Sequence, residues 1–253
     1  MSRDWNASSY DRVSGPQAAW AEGVLERLPL RGDETVLDAG CGSGRVTAML
    51  LERLPDGHVI AVDAAPSMVE HAREVLPADR TTVLCANLTD LVLDEPVDAV
   101  FSNAVFHWIG DHERLFRRLH DTLKPGGRLV AQCGGKGNVR AFIGLAADLA
   151  GESPYEEHLR DFKRSHHFAS PEETEPRLRA AGFDEIQCWL HSASTELDEP
   201  LEFASTVCLR EYLEALPEGL RQPFAAEVVR RAGDPVVVDY VRLNIDARRS
   251  LVS

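Results

Sequence analysis

The sequence predicts an α/β fold with a doubly wound, mostly parallel sheet of seven strands. From about residue 34 to residue 134, short apolar segments alternate with segments whose apolar residues recur at helical spacing. The apolar segments are nearly continuous, which is typical of parallel strands that are buried on both faces. One segment near the end alternates apolar and polar residues, and this pattern indicates a half-buried antiparallel strand near a sheet edge.

The strands are predicted over 34–38, 58–63, 82–86, 97–103, 128–133 and 183–191, with the last strand over 237–249. A helix is predicted over 45–54, and Pro66 opens the next one, where its missing N–H does no harm. Asp111 can cap a further helix, and the sequence from Ser170 to Glu173 forms a capping box before another.

Composition limits the classes of function. The chain has 253 residues, of which 44% are apolar, enough for one α/β domain with a large core. Lys and Arg number 27 against 41 Asp and Glu, and the net charge of −14 disfavours a nucleic-acid partner. There is no apolar run of 18 residues and no apolar stretch at the start, so we expect neither a membrane span nor a signal peptide, and a cytoplasmic location.

Metal and disulfide chemistry are not expected. The five cysteines are odd in number and lack C-x-x-C spacing, which favours reduced thiols. His166 and His167 are adjacent, so they point in different directions, and no third ligand is evident. We interpret them as a polar patch.

A glycine-rich loop, Asp-Ala-Gly-Cys-Gly-Ser-Gly over 38–44, follows the first predicted strand. Glycines at 40, 42 and 44 let the backbone turn sharply and approach a ligand closely. A doubly wound sheet binds ligands beyond the carboxyl ends of its strands. Asp63 ends the next strand, 21 residues after Gly42, and its carboxylate can accept hydrogen bonds from both hydroxyls of a ribose.

The loop alone leaves alternatives open, because nicotinamide enzymes use G-x-G-x-x-G and because glycines also occur simply to turn a chain. Here the third glycine comes one residue earlier, and D-x-G-x-G-x-G resembles the first motif of the class I S-adenosylmethionine-dependent methyltransferases. Asn87-Leu88, the segment 97–103 and Lys124-Pro-Gly-Gly127 resemble further motifs of that family, in the same order. The resemblance implies a Rossmann-like sheet and S-adenosylmethionine as the cofactor.

A closer resemblance is to the trans-aconitate methyltransferase group. It rests on Asp4-Trp5-Asn6 and Tyr10, on the segment 102–112 and on the segment 240–248. In that group a methyl group is placed on a carboxylate of a small polycarboxylic acid. The chain departs from the group's pattern at His107, where glutamine is commoner, and the segment 135–169 does not match visibly.

The resemblance implies a set of cofactor-binding residues. They are Tyr10, Asp38, Gly40, Cys41, Gly42, Gly44, Asp63, Ala64, Met68, Asn87, Leu88 and Asn103. Asp38 is expected near the cofactor's amino group, Asp63 at its ribose and Asn87 at its adenine edge. The alternatives are that Asp38 bonds loop amides, that Asp63 caps a helix and that Met68 belongs to the core.

His107 is the predicted catalytic residue, because it follows the fourth strand in a loop that faces the expected transfer site. It can bind a carboxylate as an imidazolium or take a proton, and the alternative is a structural role. Arg140, Arg164 and Arg242 are candidates for binding a substrate carboxylate, and the alternative is that each is a solvated surface charge.

We expect a single domain over 1–253, in which 1–33 is a cap segment, 34–134 binds the cofactor, and helical insertions at 135–169 and 198–232 form a roof over the ligand crevice. The predicted function is methyl transfer to a small molecule, with a small carboxylic acid as the first hypothesis. Another small metabolite, methylated at oxygen, nitrogen or carbon, is the alternative. A non-catalytic module that binds the cofactor is a third possibility.

Overall fold

The structure is a computed structural model that describes residues 15–251, with side chains from residue 20 onwards. Its strands are β1 (Thr35–Ala39), β2 (His58–Asp63), β3 (Thr81–Cys85), β4 (Val97–Asn103), β5 (Leu123–Gly134), β6 (Phe183–Ser192), β7 (Thr195–Glu196), β8 (Val237–Val238) and β9 (Val241–Arg249). Seven of them form one sheet in the order β3-β2-β1-β4-β5-β9-β6, while β7 and β8 pair with each other.

The main sheet confirms the predicted doubly wound, mostly parallel topology. Strands β1 to β5 are parallel, and β6 runs in the same direction because β5 and β6 both pair antiparallel with β9. The order reverses between β1 and β4, so their connections leave to opposite sides and open a crevice at the carboxyl ends of these strands. The glycine-rich loop follows β1 and therefore lies at this crevice.

The last strand differs from its prediction in extent and in burial. β9 begins at Val241 rather than at residue 237, because Val237 and Val238 pair with β7 in the small sheet. It lies between β5 and β6, and its polar residues Arg242 and Asn244 are 3% and 4% exposed. In the first half of β9 the alternation thus places the side chains of Arg242 and Asn244 against other protein groups, whereas Asp246 and Arg248 in the second half are partly exposed.

The helices are α1 (Gly15–Arg27), α2 (Arg45–Glu52), α3 (Pro66–Val75), α4 (His112–Thr122), α5 (Arg140–Ala150), α6 (Glu156–Leu159), α7 (Pro171–Ala180), α8 (Pro200–Phe203), α9 (Arg210–Ala215) and α10 (Glu218–Ala232). A 3₁₀ turn spans Phe106–Trp108, and a π-helical turn spans Ala204–Cys208. The predicted caps are confirmed, since Asp111 accepts from the amide of Arg114 and Ser170 forms a capping box with Glu173. No helix in the described part of the chain is long and apolar enough to cross a membrane.

Apolar side chains form three clusters, two on the main sheet and one among the inserted helices. The third cluster, which we call the roof core, contains residues of both predicted insertions, such as Phe142 from α5, Tyr212 from α9 and Phe224 from α10. It also contains Tyr240, immediately before β9. The insertions therefore pack on each other and connect to the sheet through the start of its last strand.

Candidate functional site

The glycine loop turns back over the neighbouring strand β2. The amides of Gly40 and Cys41 both donate to the carbonyl of Val62, at 2.8 and 3.0 Å. The φ angles of Gly40, Gly42 and Gly44 are 93°, 54° and 89°, which lie in the left-handed region that favours glycine. The loop's shape therefore requires these glycines, as the motif predicts.

The three glycines have different surroundings. A Cβ atom on Gly40 would lie 2.1 Å from Cγ2 of Val105, so the loop following β4 packs directly on this glycine. A Cβ on Gly44 would lie 3.1 Å from the side chain of Leu76. A Cβ on Gly42 would meet nothing within 4 Å, so this glycine borders open space at the crevice.

Asp63, the predicted ribose ligand, is half-buried at the end of β2. Its two carboxylate oxygens accept hydrogen bonds from the amides of Gly42 and Ala65, at 3.0 and 2.9 Å. Burial raises the pKa of the Asp63 carboxyl, and these amides oppose the shift. The alternative reading as a helix cap does not hold, because the residue at the N-cap of α3 is Ala65. Each carboxylate oxygen has a second lone pair, so the group suits a ligand that presents two hydroxyls.

Asp38 lies at the end of β1, and its side chain is buried. The hydroxyl of Thr47, in α2, donates to its carboxylate at 2.7 Å. Burial raises the pKa of Asp38 to about 7, and the bond from Thr47 opposes this shift. Sequence reasoning missed Thr47, and its place on the buried face of the helix that follows the loop is the only signal for it.

The remaining predicted cofactor residues differ in how far their side chains are exposed to solvent. Ala64 is exposed, whereas Cys41, Met68 and Leu88 are buried. Asn87 is exposed, and its side-chain oxygen accepts from the amide and the hydroxyl of Thr89, both at 3.0 Å. Its amide nitrogen carries the donor hydrogens that a contact to an adenine edge requires. Tyr10 and Trp5 lie outside the described residues.

Beyond the end of β4 at Asn103, a short loop runs from the glycine loop to a pocket that His107 lines. Ala104 adopts a left-handed conformation, with a φ of 63°, and its amide donates to the carbonyl of Gln132 at 2.7 Å. Val105 then packs on Gly40, and the 3₁₀ turn after it carries His107. Only Phe106 thus separates Val105, which contacts the glycine loop, from the predicted catalytic histidine.

His107 is buried, and its protonation differs from the expectation. Its Nδ1 atom accepts a hydrogen bond from the amide of Gly134 at 3.2 Å, so the proton of the neutral ring is on Nε2. Burial, and then the charges of His166 and Arg242, lower the pKa of His107 well below its usual value. The geometry therefore favours a neutral hydrogen-bond donor over an imidazolium or a general base.

His107 lines a pocket under the inserted helices, which we call the roof pocket. Its cavity volume is about 40 Å³, and it is partly open to solvent. Its walls come from 104–108 after β4, from 138–139, 164–168 and 207–208 in the insertions, and from 240–242 at β9. The pocket therefore lies between the sheet and the roof, beside the loop that packs on the glycines.

Two of the three predicted arginines line this pocket, and the third, Arg140, is exposed elsewhere. Arg242 donates from Nε to the side chain of Gln132 at 3.3 Å, and its guanidinium lies 4.6 Å from the ring centre of Trp20. Arg164 lies on the opposite, inserted segment, with its guanidinium 5.8 Å from the ring centre of Phe168.

A buried acid, Glu211, lies behind the roof side of the pocket. It accepts hydrogen bonds from the amide and hydroxyl of Ser165 and contacts Nδ1 of His166 at 3.0 Å. Nε of Arg164 is 3.9 Å away. Sequence reasoning missed Glu211, because it precedes Tyr212 in a helix and falls outside the apolar stripe.

The side chains of the adjacent residues His166 and His167 point in different directions, as expected from their spacing. His166 lines the roof pocket, whereas the ring of His167 lies 4.6 Å from that of His112. Among the described residues, no group of three or more His, Cys, Asp or Glu side chains is placed to hold a metal ion.

Known proteins resemble this chain in sequence and in structure. A family model described as a methyltransferase domain matches residues 37–131. A trans-aconitate 2-methyltransferase from Methylobacterium nodulans is 31% identical over 77% of this chain and 70% of its own length. A trans-aconitate 2-methyltransferase from Variovorax paradoxus is 29% identical over 99% of this chain and 98% of its own.

The fold matches that of a phosphoethanolamine N-methyltransferase 2 from Haemonchus contortus, solved with phosphomonomethylethanolamine and S-adenosylhomocysteine. The TM-score is 0.63 at 19% identity, and the match covers 96% of this chain and 57% of that enzyme. The open glycine loop and the Asp63 carboxylate fit S-adenosylmethionine as the cofactor. This chain is an enzyme of the class I S-adenosylmethionine-dependent methyltransferase family and belongs to the group that includes the trans-aconitate 2-methyltransferases.

Proposed function

We propose that this enzyme methylates a carboxylate oxygen of a small polycarboxylic acid similar to trans-aconitate. The observation that carries the proposal is the roof pocket, which has arginine side chains on two walls and adjoins the loop that packs on Gly40. Arginine binds carboxylates through paired hydrogen bonds, so the pocket suits an anionic acceptor. The names of the relatives that match along the chain agree with this acceptor.

The protein's part in the reaction is binding and alignment. When bound, S-adenosylmethionine supplies an electrophilic methyl group, which an anionic oxygen takes as the carbon–sulfur bond breaks. Asp63 would hold the ribose and the open face at Gly42 would admit the cofactor, while the roof pocket would orient the acid beside them. Such alignment can supply up to roughly 7–11 kcal/mol of the barrier.

No general base is needed for this acceptor, because a carboxylate is ionised at neutral pH. This agrees with His107, whose Nδ1 accepts from Gly134 and whose remaining ring proton is suited to donation. The role proposed for His107 is therefore to hold a substrate oxygen rather than to remove a proton.

A second candidate acceptor is a small molecule with a hydroxyl group. The contact of 3.0 Å between Nδ1 of His166 and Glu211 is the observation in its favour. A carboxylate that orients an imidazole is a recurring way to form a general base, which an alcohol or phenol needs before it can attack.

Transfer of a labelled methyl group to a panel of acids and phenols tests the proposal. We expect trans-aconitate and related acids to form base-labile methyl esters, and we expect phenols and alcohols to remain unlabelled. Labelled ethers from the hydroxyl compounds, without labelled esters, would replace the first candidate with the second.

A further inference from the structure

The roof pocket has positive charge at two separate places. Arg242 is in β9, on the sheet side, and its side chain is almost completely buried. Arg164 is in the segment between α6 and α7, on the roof side, and its side chain is 19% exposed. The two arginines belong to different layers of the fold, so they are suited to hold two different groups of one ligand.

Neutral and aromatic neighbours fix Arg242 in its place. Its Nε donates to Gln132, whose amide nitrogen donates in turn to Asn244 at 2.8 Å. The guanidinium also lies over Trp20, an arrangement that favours a cation. These partners fix the orientation of the Arg242 guanidinium beside the pocket.

Glu211 is a positioning residue on the roof side. It is 5% exposed, and its carboxylate contacts Ser165, His166 and Arg164. A buried carboxylate needs such partners, and in return it fixes the orientation of the side chains that surround it. Arg164 and His166 are therefore held together on one wall of the pocket.

His107 lines the same pocket as these two arginines. Apart from burial, the causes that lower its pKa include the charges of His166, Arg242 and Arg164. The cationic side chains of Arg242 and Arg164 both face the pocket, and Glu211 holds Arg164 and His166 from behind. A carboxylate ligand that enters the pocket can bond to these guanidinium groups.

We propose that the roof pocket binds the non-reacting carboxylates of a di- or tricarboxylic acid at two points, with Arg242 and His107 at one and Arg164 and His166 at the other. This inference rests on the proposed function. It adds that the enzyme selects its acceptor by the number of carboxylates that the acceptor carries. Acids with a single carboxylate gain neither contact and are poor ligands.

Three acids that share one carbon skeleton test the number of contacts. Crotonate, trans-glutaconate and trans-aconitate carry one, two and three carboxylates. Calorimetry would measure their binding to the full chain saturated with S-adenosylhomocysteine. We expect each added carboxylate to raise the affinity by about 10- to 100-fold, the usual effect of a hydrogen bond to a charged group.

Single and double variants assign each contact to its arginine. Arg242→Gln and Arg164→Gln should each lower the affinity for trans-aconitate by about 10- to 100-fold and leave the weak binding of crotonate unchanged. The double variant should bind all three acids alike. Arg160→Gln is the matched control, because Arg160 is on the same inserted segment but its side chain is 72% exposed.

Binding of S-adenosylhomocysteine by each variant shows that the fold is intact, and Arg242→Lys, which keeps the charge, should partly restore affinity. Equal affinities of the wild type for all three acids would overturn the proposal. So would variants that weaken crotonate and trans-aconitate equally. If the stepwise affinities appear but no acid is methylated, the two-point site stands and the proposed reaction fails.

Discussion

Asp38 is the residue in which burial and function are most directly linked. Its carboxylate accepts a hydrogen bond from the hydroxyl of Thr47, and burial raises its pKa to about 7. A cation placed nearby would favour the ionised form and lower this pKa. The sequence predicts that Asp38 lies near the cofactor's amino group, and that group would be the cation.

Cofactor affinity should therefore increase as the pH rises through about 7, the pKa of Asp38 in the free protein. Below that value the folded protein carries a proton on Asp38, and binding of the cationic amino group must release it. Calorimetry with S-adenosylhomocysteine, in two buffers of different ionisation enthalpy, would measure the proton released.

Asp38→Asn should bind more weakly and should lose this pH dependence, since the side chain no longer titrates. An affinity of the wild type that does not change across neutral pH would place the amino group away from Asp38.

At the scale of one element, the glycines of the glycine loop have different surroundings although they are close in sequence. Gly40 is in contact with Val105, whereas Gly42 borders open space. Both have positive φ angles, so an added Cβ atom is strained at either position. Only at Gly40 does it also overlap a neighbour.

Gly40→Ala should consequently destabilise the fold by at least about 2 kcal/mol, from strain and overlap together. Gly42→Ala should cost only about 1 kcal/mol of stability, while its methyl group enters the crevice and weakens cofactor binding. Chemical denaturation and S-adenosylhomocysteine titration of both variants would measure the two effects. Unchanged cofactor affinity in Gly42→Ala would show that this face of the loop is not the cofactor's.

Local sequence patterns predicted most of the elements and the sharp turn of the glycine loop. The spacing of apolar residues located the strands and helices of the first half, and the motif located Gly40, Gly42 and Asp63. The position of β9 between β5 and β6 was not predictable in this way, because pairing between distant strands leaves no local periodicity. For the same reason the burial of Arg242 and the contact between His166 and Glu211 appeared only in the structure.

At the scale of the whole molecule, the sheet and the roof contribute different parts of the enzyme. The sheet provides the glycine loop on the strands where the order reverses, and the inserted helices have their own core. The roof pocket lies where these layers meet, so its residues come from distant parts of the chain. The organisation as a single domain stays a prediction, for which one cooperative unfolding transition is the expected sign.

A crystal structure of the full chain with S-adenosylhomocysteine and trans-aconitate is the most direct measurement. We expect the acid to occupy the roof pocket, with separate carboxylates bonded to Arg242 and Arg164 and a third facing the sulfur atom. An acid bound outside this pocket, or a cofactor that makes no contact with Asp63, would contradict it.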